Sequence, residues 1–199
     1  MPGTRKESGN GMPGASPGCG KPSPTPPIWP WCGWKRKCLG EGGAFLLVTQ
    51  NVDGLHALAG SRNLVELHGN ILRARCEACG HRFLLPDPFT PPPFCPLCGH
   101  RARPDVVWFG EFLPEGAWEK AEKAFAEADV ALVVGTSAEV EPAASLGRIA
   151  FTGGAYLIEV NPEPTPLTPL AHLSLRMGAV EGLQALGYGE SGTHPSASG

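Results

Sequence analysis

No stretch of this 199-residue sequence approaches the ~18 consecutive apolar residues of a membrane-spanning helix. The N-terminus also lacks an apolar run of the signal-peptide kind. Both absences lead to the expectation of a soluble, cytoplasmic protein with no membrane partner. Basic residues are scarce where a nucleic-acid binder would need them. Residues 1–43 carry six Lys/Arg against Glu7 and Glu41, a net +4, which leaves −7 for the rest of a chain that totals −3. Phosphate binding needs clustered Lys/Arg, so nucleic acid is not expected as a partner.

Glycine and proline are abundant, but unevenly so. Of 27 Gly and 22 Pro, 10 Gly and 8 Pro fall within residues 1–43. That segment shows neither helical nor strand periodicity, and its backbone is interrupted every few residues. It reads as a disordered N-terminal segment. Its cluster of Trp29, Trp31 and Trp34 leaves open a docking segment for a partner or for the rest of the chain.

From Ala44 the texture changes. Ala44–Val48 is an apolar run ending in Thr49-Gln50-Asn51, Val130–Val134 ends in Gly135-Thr136-Ser137, and Ala155–Val160 ends in Asn161-Pro162. Continuous apolar runs of this length predict strands buried on both faces. Glu115–Asp129 predicts an amphipathic helix with Trp118, Ala121, Phe125 and Ala128 on one face. A shorter helix is expected from Pro142 to about Phe151. Strands alternating with helices imply a mainly parallel sheet covered on both faces. Ligands of such sheets bind beyond the carboxyl ends of the strands, and all three runs end in small, hydroxyl or amide residues. Those residues suit a polyhydroxylated, phosphate-bearing ligand, although strand ends commonly run into polar loops without binding anything.

Seven cysteines are present, four of them as Cys76-x-x-Cys79 and Cys95-x-x-Cys98 with 15 residues between the pairs. This spacing predicts a metal site rather than disulfides in a reducing compartment. Four thiolates would close a tetrahedral shell, so one Zn(2+) here is structural and leaves no position for a reacting water. Gly80 and Gly99 follow the two knuckles and permit tight turns. Leu72–Arg75 and His81–Leu85 read as ribbon strands, and His81 and His100 as bystanders. Cys19, Cys32 and Cys38 lack such spacing and read as free thiols.

Several motifs occur in one order: Thr49-Gln-Asn-Val-Asp-Gly-Leu-His56, Glu66-Leu-His-Gly69, the four Cys, Arg103-Pro-Asp-Val-Val-Trp-Phe-Gly-Glu111, Gly135-Thr-Ser137 and Val160-Asn-Pro-Glu163. Across roughly residues 44–186 they resemble the sirtuins (Sir2 family), the NAD-dependent protein-lysine deacylases. The resemblance implies an α/β fold, a Rossmann-like parallel sheet with an inserted zinc-ribbon module at about residues 70–104. The catalytic domain would run over 44–187, with a flexible tail at 188–199. It implies an enzyme that transfers an acyl group from lysine to ADP-ribose with release of nicotinamide, taking NAD and acyl-lysine proteins or peptides as partners.

By motif match, His68 is the general base acting on a ribose hydroxyl, with Asn51 and Asp53 also in the catalytic set. Gln50, Asn51, Val52 and Asp53 match the nicotinamide-ribose pocket. Gly135, Thr136 and Ser137 match phosphate and ribose contacts, Asn161, Pro162 and Glu163 the adenosine side, and Ala179 a further cofactor contact. Val107, Trp108, Phe109, Gly110 and Glu111 match the acyl-lysine tunnel and a backbone strip that pairs with the substrate as an added strand. Trp108 stands where many relatives carry Phe and resembles the branch that removes succinyl and malonyl groups.

The family's N-terminal strand, its Gly-Ala-Gly-x-Ser phosphate loop and its Gly-Ile-Pro-x-Phe-Arg lid are missing from this sequence. The expectation is that residues 1–43 come from a shifted reading frame or wrong start that replaced that region. The chain as written would then hold NAD by half a site and expose an unpaired sheet edge. Two other readings stand beside the deacylase. One is a catalytically impaired remnant acting as a zinc-stabilised protein-binding module. The other, a zinc-ribbon nucleic-acid binder, is disfavoured by the acidic body.

Overall fold

The computed structural model describes residues 43–86 and 92–188. The expectations for residues 1–42, including the three unspaced cysteines, and for residues 189–199 lie outside that range. Among the described residues the strands form three separate sheets. β1 (Leu47–Thr49) pairs in parallel with β2 (Leu64–Glu66). β6 (Val130–Val134), β7 (Tyr156–Val160) and β8 (Leu173–Leu175) form a second parallel sheet in that order. Between them in sequence lies an antiparallel sheet in which β3 (Gly69–Cys76) is flanked by β4 (Arg82–Leu84) and β5 (Ala102–Val106). A four-residue helix α1 (Leu55–Leu58) follows β1.

Two longer helices join the parallel sheets. α2 (Ala117–Ala126) carries the amphipathic pattern seen in the sequence, and α3 (Ser145–Thr152) packs against it. Along the α2 face, Ala121 is fully buried with Val65, Leu67 and Leu146, while Trp118 packs on the same cluster. Phe125 reaches both this cluster and a second one formed by Ala131, Ala150, Ala155 and Leu157. One helix face therefore buries apolar surface of β2 and of the β6–β7 sheet together. That shared burial holds the two sheets in place without a hydrogen-bonded ladder between them.

β1 pairs on one side with β2, and β6 on one side with β7. Their other sides line one cleft of about 1030 Å³ bounded by residues 43–51 and 128–138. This explains a departure from the strand expectation. Val130–Val134 is not buried on both faces: Val130 is exposed and Leu132 to Val134 are half-buried, whereas Leu157, Ile158, Glu159 and Val160 of the central β7 are all buried.

The helix expected from Pro142 begins at Ser145, after a turn over 141–144. The ribbon strands are present, β3 reaches back to Gly69, and β3 pairs with β4 on one edge and β5 on the other. The sequence does not announce β2, β5, β8 or a short helix α4 (Ala179–Leu183). The strands are 3–5 residues long and lack the long apolar runs that mark buried strands.

Candidate functional site

At the carboxyl end of β1, Thr49 is buried and its hydroxyl accepts the Asn51 amide at 3.1 Å, turning the chain toward α1. Asp53 caps that turn: its Oδ1 accepts the Leu55 amide at 3.0 Å. Asn51 and Asp53 are exposed, and Gln50 and Val52 are half-buried. His68 sits between β2 and β3, where the chain leaves a parallel sheet for an antiparallel one. Its backbone carbonyl accepts the Val107 amide at 2.9 Å, which ties it to the segment after β5. Its ring Nδ1 lies 3.2 Å from the Gln50 carbonyl oxygen. A carbonyl only accepts, so this bond puts the proton on Nδ1 and leaves Nε2 as the free base.

The turn that presents His68 is tightly held. Asn70, only 5 % exposed, donates to Glu66 Oε1 at 2.6 Å and accepts the Leu72 amide at 2.8 Å. Arg73 reaches Glu66 at 2.7 Å and Asp105 at 3.6 Å. Gly69 has φ of +80°, and a Cβ there would stand 2.0 Å from the Asp105 carbonyl oxygen. A side chain fits neither the left-handed backbone nor the contact with β5.

On the other side of the cleft, β6 is followed by Gly135 with φ of +62°. Thr136 Oγ1 accepts the Ala138 amide at 3.2 Å and the Gln50 side-chain amide at 3.3 Å, so the two parallel sheets touch at their carboxyl ends. Asn161, at the end of β7, donates to the Thr136 carbonyl at 2.7 Å. Gln50, Asn51, Gly135, Thr136 and Ser137 thus line the large cleft, and His68 and Asn161 join them through hydrogen bonds. Val52, Asp53, Pro162, Glu163 and Ala179 do not line it; Ala179 opens α4, beyond β8.

His56, quoted only as the end of the first motif, does line the cleft. Burial pushes its pKa below the ordinary 6.5, against the opposing charges of Asp53 and Glu66. Its place in the cleft could not be read from spacing, because α1 is too short to show periodicity.

Within Val107–Glu111, expected as a backbone strip that pairs with the substrate, Trp108–Glu111 forms a closed turn, while Val107 bonds His68. The Glu111 amide donates to the Trp108 carbonyl at 2.9 Å, with Gly110 at φ of +85°. Arg103 fixes it from below: one guanidinium nitrogen bonds both Glu111 oxygens at 2.6 and 2.8 Å, and its Cζ lies over the Trp108 ring, 4.7 Å from the ring centre. The Arg103 hydrogen bond, followed by the Trp108 amide, holds the Glu111 carboxyl below its usual pKa of 4.5. Phe109 is fully exposed at the tip.

In the ribbon, the four sulfurs lie within 4.8 Å of one another. Three separations are 3.4, 3.5 and 3.7 Å. Tetrahedral Zn–S bonds of about 2.3 Å imply S–S edges of about 3.8 Å, so the cluster fits one zinc. The knuckles repeat the same bonds: Gly80 to the Cys76 carbonyl and Gly99 to that of Cys95, Cys76 to His81 and Cys95 to His100. Both glycines have φ of +71°. The Cys79 amide points at the Cys76 sulfur and pulls that thiol down to about 6; the sulfurs around Cys98 push it up to about 12 despite the lowering bond from the His100 amide. Four sulfurs this close cannot all ionise without a cation among them. Neither His81 nor His100 belongs to the cluster.

Comparison with known proteins agrees with this geometry. The family model described as Sir2 family matches residues 37–142. An NAD-dependent protein deacylase of Thermus thermophilus is 80% identical over 179 residues, covering 80% of this chain and 70% of the relative. That of Deinococcus radiodurans is 54% identical over 152 residues, covering 73% of this chain and 61% of the relative. Among solved structures, a Sir2 homologue–NAD complex superposes with a TM-score of 0.71 at 43% identity, covering 80% of this chain and 62% of that one. A Sir2–p53 peptide–NAD+ complex gives 0.70 at 32% identity, covering 80% and 67%. The chain thus spans between about three fifths and seven tenths of these relatives. Its Rossmann-like parallel sheets, its cysteine cluster fit for zinc and its identity to these relatives establish that the chain belongs to the Sir2 family of NAD-dependent protein deacylases.

Proposed function

We propose that this chain carries the acyl-transfer site of a protein-lysine deacylase, with His68 as its base. The observation that carries this reading is the His68 ring, whose Nδ1 is engaged by the Gln50 carbonyl at 3.2 Å while its backbone is bonded to Val107. The base, the cleft residues and the peptide-side segment are thereby joined in one hydrogen-bonded unit. NAD, when bound, supplies the ADP-ribose that accepts the acyl group as nicotinamide leaves. Gln50, Asn51 and Asp53 order the ribose end, Gly135 to Ser137 receive the phosphate-bearing middle, and Asn161 to Glu163 the adenosine end. His68 Nε2 takes a proton from a ribose hydroxyl as the general base.

Val107 to Glu111 receive the acyl-lysine peptide, an added-strand mode that requires the Trp108–Glu111 turn to open. The relatives named deacylases and the Sir2 complex with a p53 peptide support protein or peptide substrates. No helix among the described residues is long and apolar enough to cross a membrane, and the cytoplasm is the proposed compartment. The test is incubation of the chain with acetyl- and succinyl-lysine peptides, with and without NAD, followed by mass spectrometry for O-acyl-ADP-ribose. NAD-dependent product is expected. No product with either peptide, from a folded and zinc-loaded chain, would refute the reading in favour of an impaired remnant.

A further inference from the structure

We propose that Glu159 and Arg176 are positioning residues that clamp the Asn161–Glu163 turn from beneath and so set the adenosine end of the cofactor site; the ligand named here rests on the reading under Proposed function. Glu159 lies in β7 among Leu157, Ile158 and Val160 and is only 1 % exposed. A carboxylate in such a strand is costly unless fully partnered. It is fully partnered. Thr165 Oγ1 donates to Glu159 Oε1, and Thr168 Oγ1 and Ser174 Oγ each donate to Oε2 at 2.9 Å. Arg176 Nη1 stands 3.3 Å from the same Oε2.

The purpose of the buried charge shows in where Arg176 goes next. Its Nη1 donates to the Glu163 carbonyl at 2.9 Å and approaches the Asn161 carbonyl at 3.4 Å, and its Nη2 donates to Thr168 at 2.9 Å. Both ends of the turn therefore hang on one guanidinium, whose own position is set by Glu159. Within the turn, Asn161 Oδ1 accepts the Glu163 amide at 3.2 Å while its Nδ2 donates to the Thr136 carbonyl. Thr136 meets Gln50, and Gln50 meets the His68 ring. A chain of hydrogen bonds thus runs from the buried carboxylate to the candidate base. The near end of that chain is the turn itself, so loosening the clamp acts first on the adenosine side.

Glu159→Gln keeps the volume and one acceptor oxygen, which can still take the Thr168 and Ser174 hydroxyls while its NH2 turns to Thr165, but it removes the charge that orients Arg176. Arg176→Met, at a partly exposed position, removes the other half without emptying the core. Three quantities are read on the full zinc-loaded chain: amide hydrogen exchange of Glu163 without ligand, calorimetric Kd for NAD and for ADP-ribose, and KM and kcat with an acyl-lysine peptide. Each variant is expected to accelerate Glu163 exchange at least tenfold while Leu157 exchange stays unchanged. NAD and ADP-ribose Kd should rise about tenfold, with peptide KM and saturated kcat within twofold. The double variant should match the worse single one, because both act through one clamp, and Arg176→Lys should recover part of the loss.

Unchanged Glu163 exchange, or a uniform loss of stability, peptide KM and kcat together, would overturn the clamp. If exchange responds as expected but the unaltered chain binds neither NAD nor ADP-ribose, the clamp stands as a property of the turn. The functional reading and the ligand assigned to it then fall.

Discussion

Gly69 offers the sharpest test of how the fold presents His68. A β-carbon at this position would meet two separate obstacles. The backbone is left-handed at φ of +80°, which costs a non-glycine residue roughly 1–2 kcal/mol. The added carbon would also lie 2.0 Å from the Asp105 carbonyl oxygen and 3.1 Å from the Val106 Cα, both backbone atoms. Relief requires β3 and β5 to part, an overpacking cost of about 1–3 kcal/mol. Gly69→Ala is therefore expected to lose about 2–5 kcal/mol, a large share of the ~5–15 kcal/mol typical of a folded domain.

Gly60→Ala isolates the first obstacle. Gly60 has a similar φ of +85° with nothing within 4 Å of the added carbon, so only the ~1–2 kcal/mol of backbone strain applies. Urea unfolding of both variants, read by circular dichroism, gives the difference. Because parting β3 from β5 also strains the bond from the Val107 amide to the His68 carbonyl, deacylation should fall in Gly69→Ala by more than unfolding explains. Equal destabilisation of the two variants would refute the collision argument. Full activity in Gly69→Ala would refute the link from this turn to the base.

His68→Tyr is expected to remove NAD-dependent deacylation with little change in unfolding midpoint, since the ring is only half-buried; retained turnover would exclude it as the base. Atomic absorption should find one zinc per chain, and Ser at any of Cys76, Cys79, Cys95 or Cys98 should cut that content sharply, whereas Ala at His81 or His100 should not. His56 has its pKa lowered by burial in the folded chain, so the unfolded chain binds the proton more readily. Stability should therefore fall as pH drops through about 6.5 toward the lowered folded value. His56→Gln should flatten the chain's unfolding free energy across that window, and an unaltered slope would count against a buried neutral imidazole.

The local chemistry is readable from the chain because it depends on short spacings. Two Cys-x-x-Cys knuckles each followed by Gly place four sulfurs around one point whatever surrounds them, and the structure shows both knuckles with the same φ and the same bonds. The α2 face is equally plain, since a 3.6-residue period needs only the helix itself. Motif order likewise carries the family and His68, but it does not show how the side chains meet.

Tertiary structure decides the rest, through contacts distant in sequence. Whether Val130–Val134 is buried on both faces depends on what lies beside it, and among the described residues a cleft does. Gln50 and Thr136 are 86 positions apart and meet only because Phe125 and its neighbours dock two sheets against common helices. The Trp108–Glu111 segment is a turn because Arg103 and Glu111 close on each other. Glu159 reads in the sequence as one polar residue in an apolar strand; three hydroxyls and a guanidinium from later in the chain make it a clamp. A residue's chemical type is local, but its burial and its partners belong to the folded chain.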